Sequence, residues 1–143
     1  MDTLILAIDP GREKIGLALV DSQGHTVFRT ISREKDFTSH LVEISQRNPR
    51  LHAAVGNSTG REKIIKALRH LHIPYTLVDE RNSSQEARTL FFREYPPRGL
   101  KKILPLSFLF PNIPFDDFQA VVIGHRFLEA ERSRLSRESV SQE

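Results

Sequence analysis

Acidic side chains fall at three places where the chain changes direction, and that spacing is the first sign of chemistry. Asp9 ends the apolar run Leu4 to Ile8 and is followed by Pro10 and Gly11. Asp79 and Glu80 follow a second short run, Tyr75 to Val78, and Asp116 and Asp117 open a third, helix-periodic segment. Ends of this kind can converge on one point. Two unit charges 4 Å apart repel by roughly 4 kcal/mol at an effective dielectric near 20, so three carboxylates in one pocket need a cation. Oxygen-only ligands favour a hard ion, Mg²⁺ or Mn²⁺. Two such ions about 3.5 to 4 Å apart can activate a water and stabilise the leaving oxygen in phosphodiester hydrolysis. Each acid also has an ordinary reading: Asp9 as a turn-former, Glu80 as a surface partner of Arg81, Asp116 as a helix cap.

The elements that must position these residues follow from periodicity. Leu4 to Ile8 reads as a strand buried on both faces, and Ile15 to Val20 as its antiparallel return, with Gly16 allowing a close backbone approach. Asp21 to Gly24 forms a turn into a third strand, Thr26 to Ile31. Asp36 or Thr38 caps a helix running to Arg47, with Phe37, Leu41, Val42 and Ile44 inward. Leu51 to Val55 is a fourth strand. The polar loop Gly56 to Gly60 then feeds a helix whose inner face is Ile64, Ile65, Leu68 and Leu71, with a capping box at Thr59 to Glu62. Tyr75 to Val78 is the fifth strand, and a second capping box, Ser83 to Glu86, opens a helix that Pro96 and Pro97 break. From Arg98 to Pro114 no regular element is predicted. The last helix starts near Asp116, and residues 131–143, charged and serine-rich, are expected to fray. The sum is an α/β fold: a mixed five-stranded sheet, three antiparallel strands then two parallel ones, within one domain over residues 1–130. Asp9 and Glu80 then project from the carboxyl edge of the central strands, and the last helix can bring Asp116 across it.

Composition excludes several classes. At 143 residues, 38% hydrophobic and 27% charged, the chain suits one folded domain, and no apolar run approaches the ~20 residues that span a bilayer. The absence of cysteine excludes thiolate nucleophiles, thiolate zinc sites and iron–sulfur clusters. An N-terminus that opens directly into a strand predicts a cytoplasmic location. The net charge of +3 permits a phosphate-bearing partner, and Arg93, Arg98, Lys101 and Lys102 share one segment with aromatic and proline residues.

Three blocks carry a family resemblance. Ile8-Asp9-Pro10-Gly11-Arg12-Glu13-Lys14-Ile15-Gly16-Leu17-Ala18 resembles the first strand and turn of the RNase H-like nucleases, specifically the YqgF (RuvX) branch related to RuvC Holliday-junction resolvases. Asp79-Glu80-Arg81-Asn82-Ser83-Ser84-Gln85-Glu86-Ala87 resembles that family's Asp-Glu-Arg-Leu-Thr-Thr-x-Glu-Ala block, and Asp116 to Ile123 its closing acidic helix. The chain departs from the pattern in Gly56 to Gly60, in Asn82-Ser83-Ser84, and in the length of residues 96–114. The resemblance implies a metal-dependent nuclease in which Asp9, Glu80 and Asp116 are catalytic and hold the ions, with Asp117 an alternative or fourth carboxylate. It implies nucleic-acid contacts from Arg81 and Lys14, joined by the basic Arg98, Lys101 and Lys102. The substrate it implies is the 5′ end of the pre-16S ribosomal RNA, or, by the family's older assignment, a branched DNA junction. Rival readings are a catalytically silent nucleic-acid module, and the phosphate-binding half of a sugar kinase or actin-like ATPase, a fold that normally duplicates a unit present here once. No sequence feature separates a monomer from a homodimer.

Overall fold

A computed structural model describes residues 3–99, 103, 111 and 114–141. The strands are β1 (Leu4–Asp9), β2 (Lys14–Val20), β3 (Thr26–Arg33), β4 (Leu51–Gly56) and β5 (Tyr75–Val78). The helices are α1 (Phe37–Arg47), α2 (Arg61–His70), α3 (Ser83–Glu94) and α4 (Asp116–Ser141), with a 3-10 turn at Glu34–Asp36 before α1. The sheet runs β3-β2-β1-β4-β5, the first three strands antiparallel and β4 and β5 parallel to β1. This is the mixed five-stranded architecture that the hydrophobic pattern predicts. No helix among the described residues is long and apolar enough to cross a membrane.

Alternation along β1 divides the core into two layers. Leu6 and Ile8 face α1 and α2, where they pack with Leu17, Leu19, Phe37, Leu41, Ile64 and Leu68. Ile5 and Ala7 face the other way, with Ala18, Val20 and Ala54, onto Ala120, Val121, Ile123 and Phe127 of α4. That second layer is built of small residues, so α4 lies close to the sheet. A Cβ added at Gly124 would stand 3.1 Å from Val20 Cγ2 and 3.3 Å from Ala7 Cβ. Ala87 and Phe91 of α3 close the side of α4 against Phe118 and Val122.

Several local expectations fail, each for a physical reason. Neither capping box forms: α2 starts after Gly60 and α3 after Asn82, both with positive φ and neither with a side-chain cap. Glu86, which would close the second box, is instead drawn 2.7 Å from Arg126 Nη2 on α4. Asp36 precedes α1 without a side-chain cap, because a 3-10 turn already leads the chain into the helix. The expected frayed tail is helical to Ser141, supported by Arg134 bonded to Glu131 (3.1 Å) and Glu138 (2.8 Å) one turn to either side. Of the segment predicted as irregular, Lys101, Lys102, Leu104, Leu106 and Phe108 to Phe110 lie outside the described residues.

The close seating of α4 has a measurable consequence. Gly124→Val should lower the urea midpoint by the equivalent of about 1–3 kcal/mol through overpacking against Val20 and Ala7. A variant as stable as the parent would show that α4 does not sit that close.

Candidate active site

Asp9 is the last residue of the central strand, and only 8% of it is exposed. Alternation puts its side chain on the face of Ile5 and Ala7, toward α4. Two glycines flank it. Gly16 is its partner on β2, and Gly56 stands one step beyond the Ile8–Val55 pair on β4. A Cβ at Gly16 would meet the backbone oxygen of Asp116 at 2.0 Å, and one at Gly56 would meet Glu80 Oε1 at 2.1 Å. Only glycine therefore lets the first residue of α4 and the Glu80 side chain close over Asp9 from its two sides.

The electrostatics follow from that enclosure. The Asp9 pKa is pushed up to about 9, first by burial, then by a hydrogen bond and charge repulsion from Glu80, and last by the charge of Asp116. Every influence acts in the same direction, so no cation among the described residues offsets the acids. Burial and the two neighbouring acids therefore favour the protonated form of Asp9. No group of three or more His, Asp or Glu side chains among the described residues is arranged to hold a metal ion as it stands. The donor set nevertheless fits a hard divalent cation: two further acids, Glu80 and Asp116, stand beside the buried Asp9 carboxylate, and the proton that burial favours on Asp9 occupies the place of a positive charge.

Two arginines that sequence reasoning passed over hold the walls of this pocket. Arg126 of α4 donates from Nη1 to the Asp79 carbonyl (2.8 Å) and from Nη2 to Glu86 (2.7 Å), fixing the turn that carries Glu80. The Ser83 N–H donates to the Glu80 carbonyl at 3.0 Å, completing that turn. Arg29 of β3 pairs with Asp117 (3.1 Å) and Glu94 (3.0 Å), and its guanidinium lies 4.3 Å above the Phe118 ring. Its Nε approaches Asp117 as an ion pair without the alignment of a hydrogen bond. A basic residue on an apolar helix face, or in the inward register of a strand, was the available signal for both.

The remaining predicted residues disperse. Asp117 turns to Arg29 and away from Asp9's pocket; burial raises its pKa and Arg29 partly opposes the rise. Asp79 behaves as the expected turn residue, accepting from the Arg81 N–H at 3.0 Å and from Arg81 Nε at 2.9 Å. Arg81 is thereby tied to its neighbour on the surface. Lys14 and Arg98 are exposed, and Lys101 and Lys102 lie outside the described residues. His125 reaches the Gly24 carbonyl at 2.9 Å, at the far end of the sheet from Asp9.

No protein-family model matches the chain, and neither does the sequence of any curated protein. Solved structures do resemble it in fold. RuvC of Thermus thermophilus bound to a Holliday junction substrate superposes with a TM-score of 0.60 at 15% identity, covering 94% of this chain and 96% of its own. A second Thermus thermophilus RuvC structure gives 0.57 at 12% identity, covering 93% and 96%. The large terminase nuclease of the thermophilic phage G20c gives 0.53 at 12% identity, covering 85% of this chain and 80% of that one. The chain thus has the RuvC-like form of the RNase H fold over nearly its whole length.

Proposed function

We propose that this chain is a nuclease that hydrolyses phosphodiester bonds with the help of Mg²⁺ or Mn²⁺. The observation that supports this most directly is the enclosed Asp9 carboxylate, flanked by Glu80 and Asp116 with no cation among the described residues to balance them. Asp9, Glu80 and Asp116 would hold the ions, and Asp117, occupied by Arg29, would hold the helix. When bound, divalent ions supply an activated water and a counter-charge for the leaving oxygen. The chain's own part is to keep the pocket dry and its acids fixed. Glycines at 16 and 56 let the walls close, Arg126 and Arg29 set them, and the proton that burial favours on Asp9 would have to leave for metal to bind. Metal affinity should therefore rise with pH.

Two observations bear on the substrate and favour different choices. The acidic sequence blocks resemble the YqgF branch, whose implied substrate is the 5′ end of the pre-16S ribosomal RNA. The full-length likeness to a RuvC structure holding a Holliday junction favours a four-way DNA junction. We place the RNA precursor first, on the ordered motifs, and the junction second. A cytoplasmic location accords with either substrate.

Linkage gives the sign of a pH effect. An acid whose folded pKa stands above its ordinary value of 3.8 holds a proton in the native state that the unfolded chain has already lost. That stabilisation is complete below the unfolded value and is lost as pH rises through the folded one, about 9. Metal-free protein should therefore melt at progressively lower temperature from about pH 5 to about pH 9, and Asp9→Asn should flatten the slope and melt higher at pH 8. Thermal melts across that range with a chelator present check both points. Adding Mg²⁺ or Mn²⁺ at pH 8 should raise the melting temperature of the parent and leave that of Asp9→Asn nearly unchanged. For activity, Asp9→Asn should lose at least about 100-fold with the fold intact by circular dichroism. Equal cleavage by parent and variant would reject the assignment. Running an RNA precursor and a four-way DNA junction side by side decides the substrate.

A further inference from the structure

The end of the sheet that carries Asp9 also carries a pair of like charges. Lys14 opens β2 and Arg33 closes β3, and the two are direct cross-strand partners. Both are exposed, and among the described residues neither forms an ion pair or a side-chain hydrogen bond. Like charges directly opposite each other on one face of a sheet are destabilising, so such a pair is not explained by the fold. The nearest acid on β3's side, Glu34, is already bonded to Lys63 of α2.

Alternation fixes which face the pair occupies. Ile15 and Ser32, between them and the rest of the ladder, are buried toward α1 and α2, and Gly16 lies beneath Asp116. Lys14 and Arg33 therefore stand on the α4 face, the face of the Asp9 side chain. Arg29, two places further along that face of β3, is already taken by Asp117 and Glu94. Because α4 begins at the level of Gly16, it does not cover the face at Lys14. At about 3.3 Å of rise per residue, Lys14 lies roughly 6–7 Å beyond the level of Asp9, close to the spacing of successive phosphates along an extended strand.

We propose that Lys14 and Arg33 together form a phosphate clamp that takes the backbone phosphodiester next to the one delivered to the Asp9 pocket. The ligand is a nucleic-acid strand, held through its charge and without regard to base. The guanidinium of Arg33 offers a planar pair of donors and the ammonium of Lys14 a point charge, and a phosphate between them removes their mutual repulsion. This rests on the nuclease reading above, with Arg33 as a contact that reading does not contain.

The test uses Asp9→Asn as a non-cleaving background, with a stem-loop RNA and a four-way DNA junction as probes. Binding is measured against salt concentration for that protein and for the same protein carrying Lys14→Gln, Arg33→Gln or both. Each single change should weaken binding by about 3- to 10-fold and lower the slope of log K against log salt by about one. The melting temperature should stay level or rise, since a repulsion is removed. Arg47→Gln, which loses the same charge from the α1 surface where Arg47 pairs with Glu43, should leave the slope unchanged. Binding that persists with an unaltered slope in both single variants overturns the clamp while leaving the nuclease reading standing. Failure of the unmodified chain to cut or bind either probe overturns the nuclease reading itself, and the clamp with it. An equal loss in Arg47→Gln would reduce the effect to net charge and also overturn the clamp.

Discussion

A carboxylate that is nearly fully buried at the end of a central strand must be given either a proton or a cation. Much else in this molecule is arranged around that requirement. Asp9 reaches its place only because the strand's alternation is held in register; a slip of one residue would turn it into the layer of Leu6 and Ile8 and force those larger side chains into the thin layer beneath α4. The register is strongly specified, since both faces of β1 are covered. Burial then sets the chemistry, because Glu80 and Asp116 close over Asp9 through the gaps left by two glycines. In the absence of a cation the pocket keeps a proton.

The position of the walls depends on how closely α4 approaches the sheet. Ala7, Ala18 and Ala54 on one side and Ala120 and Gly124 on the other make a thin layer, and the helix start is thereby brought onto Gly16. Consecutive acids at that start do different work. Neighbours on a helix point about 100° apart, so Asp116 and Asp117 cannot serve the same pocket equally. Asp117 is matched to Arg29, whose guanidinium also holds Glu94 and covers Phe118, joining β3, α3 and α4 at one point. Asp116 is left beside Asp9. Arg126 plays the corresponding part on the other wall by holding the Asp79–Glu86 turn against α4. The pocket is acidic inside, and the cations stand behind its walls, where they set position and leave the Asp9 charge unbalanced.

Most of the fold was legible in the sequence because it rests on patterns with a definite period. Five strands and their order followed from apolar runs that end in turn residues, which also allowed the acidic ends to converge, and the family resemblance singled out Asp9, Glu80 and Asp116 among them. What was not legible depended on partners distant in the chain. The spacing of Ser83 and Glu86 matches a capping box, yet Glu86 finds a stronger partner in Arg126, 40 residues away. Arg29 gave only the weak signal of a basic residue in an inward register of β3, since its partners meet only once β3, α3 and α4 are packed. The tail from residue 131 looked too polar to order, but ion pairs within one turn and continuity with the buried part of α4 carry the helix on. Gly56 read as the first residue of a polar loop, whereas it ends β4 and makes the space that Glu80 fills.

A shared fold with RuvC and a terminase nuclease places the chain among scaffolds of one architecture, and function has to be argued from the site carried on it. Here the site is asymmetric. Around Asp9 the sheet, α4 and the β5–α3 turn enclose three acids and exclude a polyanion unless cations intervene. Past the start of α4 the same face of the sheet carries the exposed Lys14 and Arg33, which among the described residues form no ion pair. On the proposed reading, an anionic strand laid along that face would meet positive charge first and the acidic pocket last, so the backbone would be held without help while a step at Asp9 would wait for divalent ions. Separating attraction from chemistry in this way would let binding be independent of base sequence and leave the ion as the condition for cleavage.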